Sequence, residues 1–63
     1  MNISREKINI AMARKNCDVS TLAVLYGVSR QRMYVILNSK SVSTSTAGKL
    51  AKILNTDVTE IIE

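Results

Sequence analysis

The sequence contains no histidine, proline, tryptophan or phenylalanine, and it has only one cysteine and two glycines. Without histidine, the chain lacks the most common general base and the usual partner of a nucleophilic cysteine. Zinc sites use several cysteines and histidines, which this composition does not supply. The sequence also has no carboxylate pair at catalytic spacing and no glycine-rich phosphate loop. It therefore predicts a protein that is not an enzyme and that needs no metal or cofactor.

Long apolar segments are also missing from the sequence. No apolar run reaches the roughly 18 residues of a membrane-spanning helix, and the first six residues are not followed by the apolar segment of a signal peptide. We therefore expect a cytoplasmic protein with no membrane contact and no small-molecule substrate. Cys17 has no second cysteine to pair with, and its simplest interpretation is a small apolar residue.

Acidic residues are absent from the centre of the chain. The net charge is +4, and none of the five acids lies between Val19 and Thr56. The cations in that segment are Arg30, Arg32, Lys40, Lys49 and Lys52. A segment with charge of one sign favours a polyanionic partner, whereas the alternative is a basic surface that only contacts solvent.

Helical periodicity is what the sequence does contain. Apolar residues make up 46% of the chain, too many for a disordered protein. Strand alternation is weak, and the apolar residues recur at helical spacing instead. The pattern predicts an all-α fold of five short helices in one domain spanning residues 1–63, at about 4–15, 19–26, 30–38, 44–54 and 58–62.

Capping residues separate these predicted helices. Asp18, Ser29 and Ser43 stand where an N-cap side chain accepts from the first free backbone N–H groups. Asn16 and Gly27 stand where a left-handed residue ends a helix. The predicted core faces are Ile8, Ala11 and Met12; Leu22, Ala23 and Tyr26; Met33, Ile36 and Leu37; and Ala47, Leu50, Ala51 and Leu54.

Residues 19–38, VSTLAVLYGVSRQRMYVILN, resemble the helix-turn-helix of the Cro/CI phage-repressor family. Ala23 is small where the two helices would cross, and Gly27 permits the turn between them. Met33 and Ile36 would anchor the second helix to the core. The resemblance continues through a loop at 38–40, a fourth helix at 46–55 and a closing helical turn at 57–62.

This resemblance implies a lambda-repressor-like bundle that binds double-stranded DNA as a transcriptional regulator. Its recognition helix, at about residues 30–38, would enter the major groove, whose width fits an α-helix. The resemblance further implies that Gln31 reads a base edge and that Val35 touches a thymine methyl group. Arg30 also stands at a base-reading position, from which it would reach a guanine or a phosphate. Phosphate contacts, which fix register rather than sequence, are implied for Arg32, Tyr34, Asn38 and Lys40, with Ser29 contacting a base or a phosphate. Solvated charges remain the alternative for Arg30, Arg32 and Lys40, and a packed surface aromatic for Tyr34.

Two features depart from the family pattern and favour a different partner. Many members carry glutamine where this chain has Val19, and that glutamine binds a phosphate. Val24 and Leu25 place apolar side chains on the outer part of helix two, where relatives carry polar ones. An apolar surface there suggests a protein contact, whereas the alternative is two separate surface hydrophobic residues without a partner. The alternative function is therefore an antirepressor or co-repressor that uses the same fold to bind a repressor protein.

The C-terminal segment leaves open whether the protein forms a homodimer. Val58, Ile61 and Ile62 crowd a very short predicted helix, so some must pack inward and the rest can meet a partner. Ile61 and Ile62 are accordingly further candidates for a protein contact.

Overall fold

The structure, a computed structural model, describes all 63 residues and contains four α-helices followed by a short 3-10 turn. The predicted bounds of helices two and three are confirmed. Helix one begins one residue later than predicted, after its cap Ser4, and helix four ends one residue earlier. None of the helices combines the length and apolar character needed to cross a bilayer. The elements are α1 (Arg5–Lys15), α2 (Val19–Tyr26), α3 (Arg30–Asn38), α4 (Thr44–Ile53) and the 3-10 turn (Val58–Glu60).

The prediction of a fifth α-helix was wrong. Asp57 does cap a turn, with its carboxylate accepting from the backbone N–H of Thr59 at 3.0 Å. The turn ends at Glu60, because the following backbone pairs with the start of the chain instead of continuing a helix. The N–H of Ser4 donates to the carbonyl of Ile61 at 2.7 Å, and the N–H of Glu63 donates to the carbonyl of Asn2 at 3.0 Å. So short a segment forms too few internal hydrogen bonds to compete with this pairing.

The first residues of the chain form an extended segment, for which the sequence predicts no element. Asn2 bridges to Ser41 and Ile3 bridges to Ile62, both in antiparallel fashion. The side chain of Ile3 is buried in the core. The segment therefore joins the loop after α3 to the C-terminal residues, two parts of the chain that are distant in sequence.

Each α-helix begins at a polar side chain that accepts a backbone hydrogen bond. The predicted caps Asp18, Ser29 and Ser43 are confirmed, and Ser4 caps α1 in the same way. The predicted left-handed ends are also confirmed, since Asn16 has a φ of 54° and Gly27 a φ of 93°. These caps satisfy backbone groups that the short helices leave without partners.

The core consists of fourteen buried residues, all of them apolar. Twelve of the thirteen residues on the predicted core faces are buried, and Tyr26 is half-buried. The Nζ of Lys49 lies 4.3 Å from the centroid of the Tyr26 ring, a cation–π contact between α4 and α2. Because α2 packs against both α3 and α4, it is the central helix of the bundle.

Replacing the two glycines by alanine should change the free energy of unfolding in opposite directions. Neither added Cβ would have a neighbour within 4 Å, so backbone conformation alone decides the outcome. Gly27→Ala should lower the free energy of unfolding by about 1–2 kcal/mol, because Gly27 is left-handed. Gly48→Ala, inside α4, should raise it by about 0.5–1 kcal/mol. Urea denaturation followed by circular dichroism measures both, and a stabilising Gly27→Ala would contradict the turn geometry.

Asp18, the cap of α2, should make the free energy of unfolding depend on pH in the acidic range. The carboxylate of Asp18 accepts from the backbone N–H of Thr21 at 2.7 Å, and this hydrogen bond lowers the pKa of Asp18. Ionised Asp18 therefore stabilises the folded state above its unfolded-state pKa of about 3.9, and this stabilisation is lost as the pH falls through the lower folded-state value. Asp18→Asn keeps a cap that does not titrate, so its free energy of unfolding should fall less between neutral and acidic pH. The free energies are measured by urea denaturation at each pH. If the value for Asp18→Asn falls as much as that of the unmodified protein, Asp18 does not make this contribution.

Candidate nucleic-acid interface

The two sides of α3 differ sharply in exposure. Met33, Ile36 and Leu37 are buried and fix the helix against the core. The remaining six side chains of α3 are exposed, in a pattern set by the helical period. They are Arg30, Gln31, Arg32, Tyr34, Val35 and Asn38.

The start of α3 carries free cationic and amide groups. Ser29 caps the helix, its Oγ accepting from the backbone N–H of Arg32 at 3.1 Å. The side chains of Arg30, Gln31 and Arg32 make no hydrogen bond or ion pair within the protein. The one ion pair in the structure lies elsewhere, between Arg14 and Glu60 at 3.9 Å. The donors at this end of the helix are therefore available to an external acceptor.

The middle of α3 presents amphipathic and apolar side chains. Tyr34 is 43% exposed and Val35 is 55% exposed. Lys40 lies beyond the helix in the exposed loop and has no internal partner. The eight residues predicted to contact DNA thus lie on α3, at its cap and in the loop that follows it.

The end of α3 contains a contact that the sequence analysis missed. Arg5, the first residue of α1, donates from Nη1 to Oδ1 of Asn38 at 3.2 Å. Its Nε donates to Oδ1 of Asn9 at 3.1 Å. The four-residue spacing of Arg5 and Asn9 on one helix is a signal for the second bond. Nothing in the sequence predicts the bond between Arg5 and Asn38, since these residues are 33 positions apart.

The comparisons with known proteins identify the family. A family model described as the Cro/C1-type HTH DNA-binding domain matches residues 7–63.

The chain belongs to this family.

No curated protein and no solved structure gives a significant match. The match includes the helix-turn-helix of α2 and α3, so the resemblance of residues 19–38 is confirmed. A Cro/C1-type domain is a regulatory fold that binds double-stranded DNA and is not itself catalytic.

The residues predicted to meet a protein partner do not form one exposed set in this Cro/C1-type domain. Val24 is 78% exposed and Leu25 is 50% exposed. Val19 and Ile62 are half-buried against the core, where they are only partly accessible. The prediction that Ile61 contacts a partner was wrong. Ile61 is completely buried, and its side chain fills the core and leaves no surface for a partner.

Cys17 lies between α1 and α2 and is half-buried. Burial raises the pKa of its thiol, and the neighbouring charge of Asp18 acts in the same direction. Its Sγ donates to the backbone carbonyl of Asp18 at 3.3 Å. A protonated thiol in this position is a poor nucleophile, in keeping with the interpretation of Cys17 as a packing residue.

Proposed function

We propose that this Cro/C1-type domain is a sequence-specific transcriptional regulator of the repressor type that inserts α3 into the major groove of DNA. The observation that carries the proposal is the exposed start of α3, where Arg30, Gln31 and Arg32 have no partner within the protein. Recognition helices read base edges mainly with their N-terminal residues. A rigidly packed helix with unpaired donors at that end suits this role.

The proposed contacts divide into base readers and phosphate contacts. The amide of Gln31 has the geometry to pair with N6 and N7 of adenine, and Arg30 can donate to O6 and N7 of guanine. Val35, one turn further along, supplies an apolar group for a thymine methyl. The groups proposed to hold the backbone are Ser29, Arg32, Tyr34, Asn38 and Lys40.

Binding as a homodimer would extend the recognition to two half-sites. Two symmetric copies would place their recognition helices about 34 Å apart, one turn of DNA. Ile62 retains partial exposure at the C-terminal end. This C-terminal end is available for such pairing.

Gln31→Ala tests the base-reading role. The variant should narrow the affinity difference between the preferred and substituted sites by about 1–3 kcal/mol, because a bidentate contact to adenine is lost. Lys40→Ala is the contrasting variant, since loss of a phosphate contact should weaken binding to all sites about equally. The measurement is fluorescence anisotropy with duplexes selected from a random pool. Unchanged discrimination in Gln31→Ala would show that Gln31 does not read a base.

A second candidate function is suggested by the apolar side chains on α2. Val24 is the most exposed large apolar residue in the protein, and Leu25 lies next to it. An antirepressor or co-repressor would use this surface to bind a repressor protein. In that case the basic face of α3 would not be the principal binding surface.

Val24→Lys separates the two functions. Because Val24 projects into solvent, the added lysine should leave folding intact and leave DNA affinity unchanged or slightly increased. If the protein acts by binding a repressor through this surface, the same variant should abolish that complex, while Val24→Ala weakens it less. Anisotropy with a mixed-sequence duplex at low salt measures DNA binding. Sedimentation with any repressor encoded beside the gene measures the protein complex. Absence of DNA binding by the unmodified protein at low salt would favour the repressor-binding function.

A further inference from the structure

Arg5 connects the start of α1 to the end of the recognition helix. Two of its donors are used, one by Oδ1 of Asn38 and one by Oδ1 of Asn9. A guanidinium group has five N–H donors and no acceptor, so three donors remain for an external group. Arg5 is only partly exposed, which limits the positions that its guanidinium can take.

The same contact determines the orientation of the Asn38 amide. Since a guanidinium cannot accept a hydrogen bond, Asn38 must turn its oxygen toward Arg5. Its NH₂ group then points away from Arg5, and both of its donors are unpaired within the protein. Arg5 and Asn38 therefore present a cation and an oriented amide side by side.

DNA phosphate can approach this end of α3 only if a cationic side chain from outside the helix is present. The C-terminal end of a helix carries a partial negative charge, which repels phosphate. The last turn of α3 contains no basic residue of its own. Arg5 and Lys40 supply two positive charges around a shallow depression that Asn38 and Glu63 also line.

We propose that Arg5 binds a DNA backbone phosphate together with the amide of Asn38, and that it positions this amide for the contact. The inference rests on the proposed function and deepens it by assigning a role to a residue outside the helix-turn-helix. Phosphate contacts fix the register of a protein on the duplex. A contact at the end of α3 sets the angle of this helix in the groove, while the residues at its start meet the bases.

The experiment compares salt dependence across matched variants of the whole chain. A labelled mixed-sequence duplex is titrated with each protein at several salt concentrations, and the logarithm of the affinity is plotted against that of the salt concentration. Arg5→Gln should reduce the magnitude of the slope by about 0.9, the value for one phosphate contact. Arg14→Gln is the control, because it removes the same charge from the other end of α1, where Arg14 faces Glu60. Its slope should match that of the unmodified protein.

Two further variants separate a phosphate contact from a structural link between helices. Arg5→Lys keeps the cation and should restore the slope. Asn38→Asp keeps an oxygen that accepts from Arg5, so thermal stability should be retained. It also replaces the amide donors with a negative charge, so DNA affinity should fall further than in the charge-matched control Asn55→Asp. Asn55 is an exposed residue after α4 that lies near Arg14, at the other end of α1. This second test remains informative if Arg5→Gln does not fold.

The possible outcomes distinguish failure of the inference from failure of the proposed function. A wild-type slope in Arg5→Gln, with or without a lower melting temperature, would overturn the inference and leave Arg5 a link between α1 and α3. Equal slope changes in Arg5→Gln and Arg14→Gln would also overturn it, since only long-range charge would then matter. Absence of binding by the unmodified protein would instead reject the proposed function, and the inference with it.

Discussion

Packing of α3 against α2 is the contact on which the exposed surface depends. Met33 and Leu37 are buried almost completely, and Ala23 on α2 is small enough to let the two helices approach. With these side chains fixed, α3 cannot rotate about its axis without exposing apolar surface. The opposite side of α3 is therefore held toward solvent, and the positions of Arg30, Gln31 and Val35 follow from the burial of Met33.

Because the core is small, the hydrogen bonds at the helix ends are important for the stability of this chain. Fourteen buried residues form a single apolar cluster, and a core of this size leaves little surplus stability. Four caps and two left-handed ends satisfy backbone groups that would otherwise lower it further. Because every buried side chain is apolar, all charged residues remain on the surface.

Acidic and basic side chains occupy different parts of that surface. The acids cap helices or lie near the ends of the chain, so they stay out of the sequence segment that contains α3. The cations of α3 and its following loop form no ion pair within the protein, whose one ion pair joins Arg14 to Glu60. Arg5 adds a further cation from α1, brought to the end of α3 by the tertiary fold.

The bounds of α2, α3 and the turn between them can be predicted from the sequence, because helical period, caps and Gly27 are local features that agree with one another. The exposed side of α3 can be predicted in the same way, since it follows from the spacing of Met33, Ile36 and Leu37. The conformation of the last residues, in contrast, depends on the tertiary fold. There Ile61 is buried and its backbone pairs with residues near Ser4, a contact between distant segments that no local pattern encodes. The pairing of Arg5 with Asn38 was decided in the same way, because it depends on where α1 lies in space.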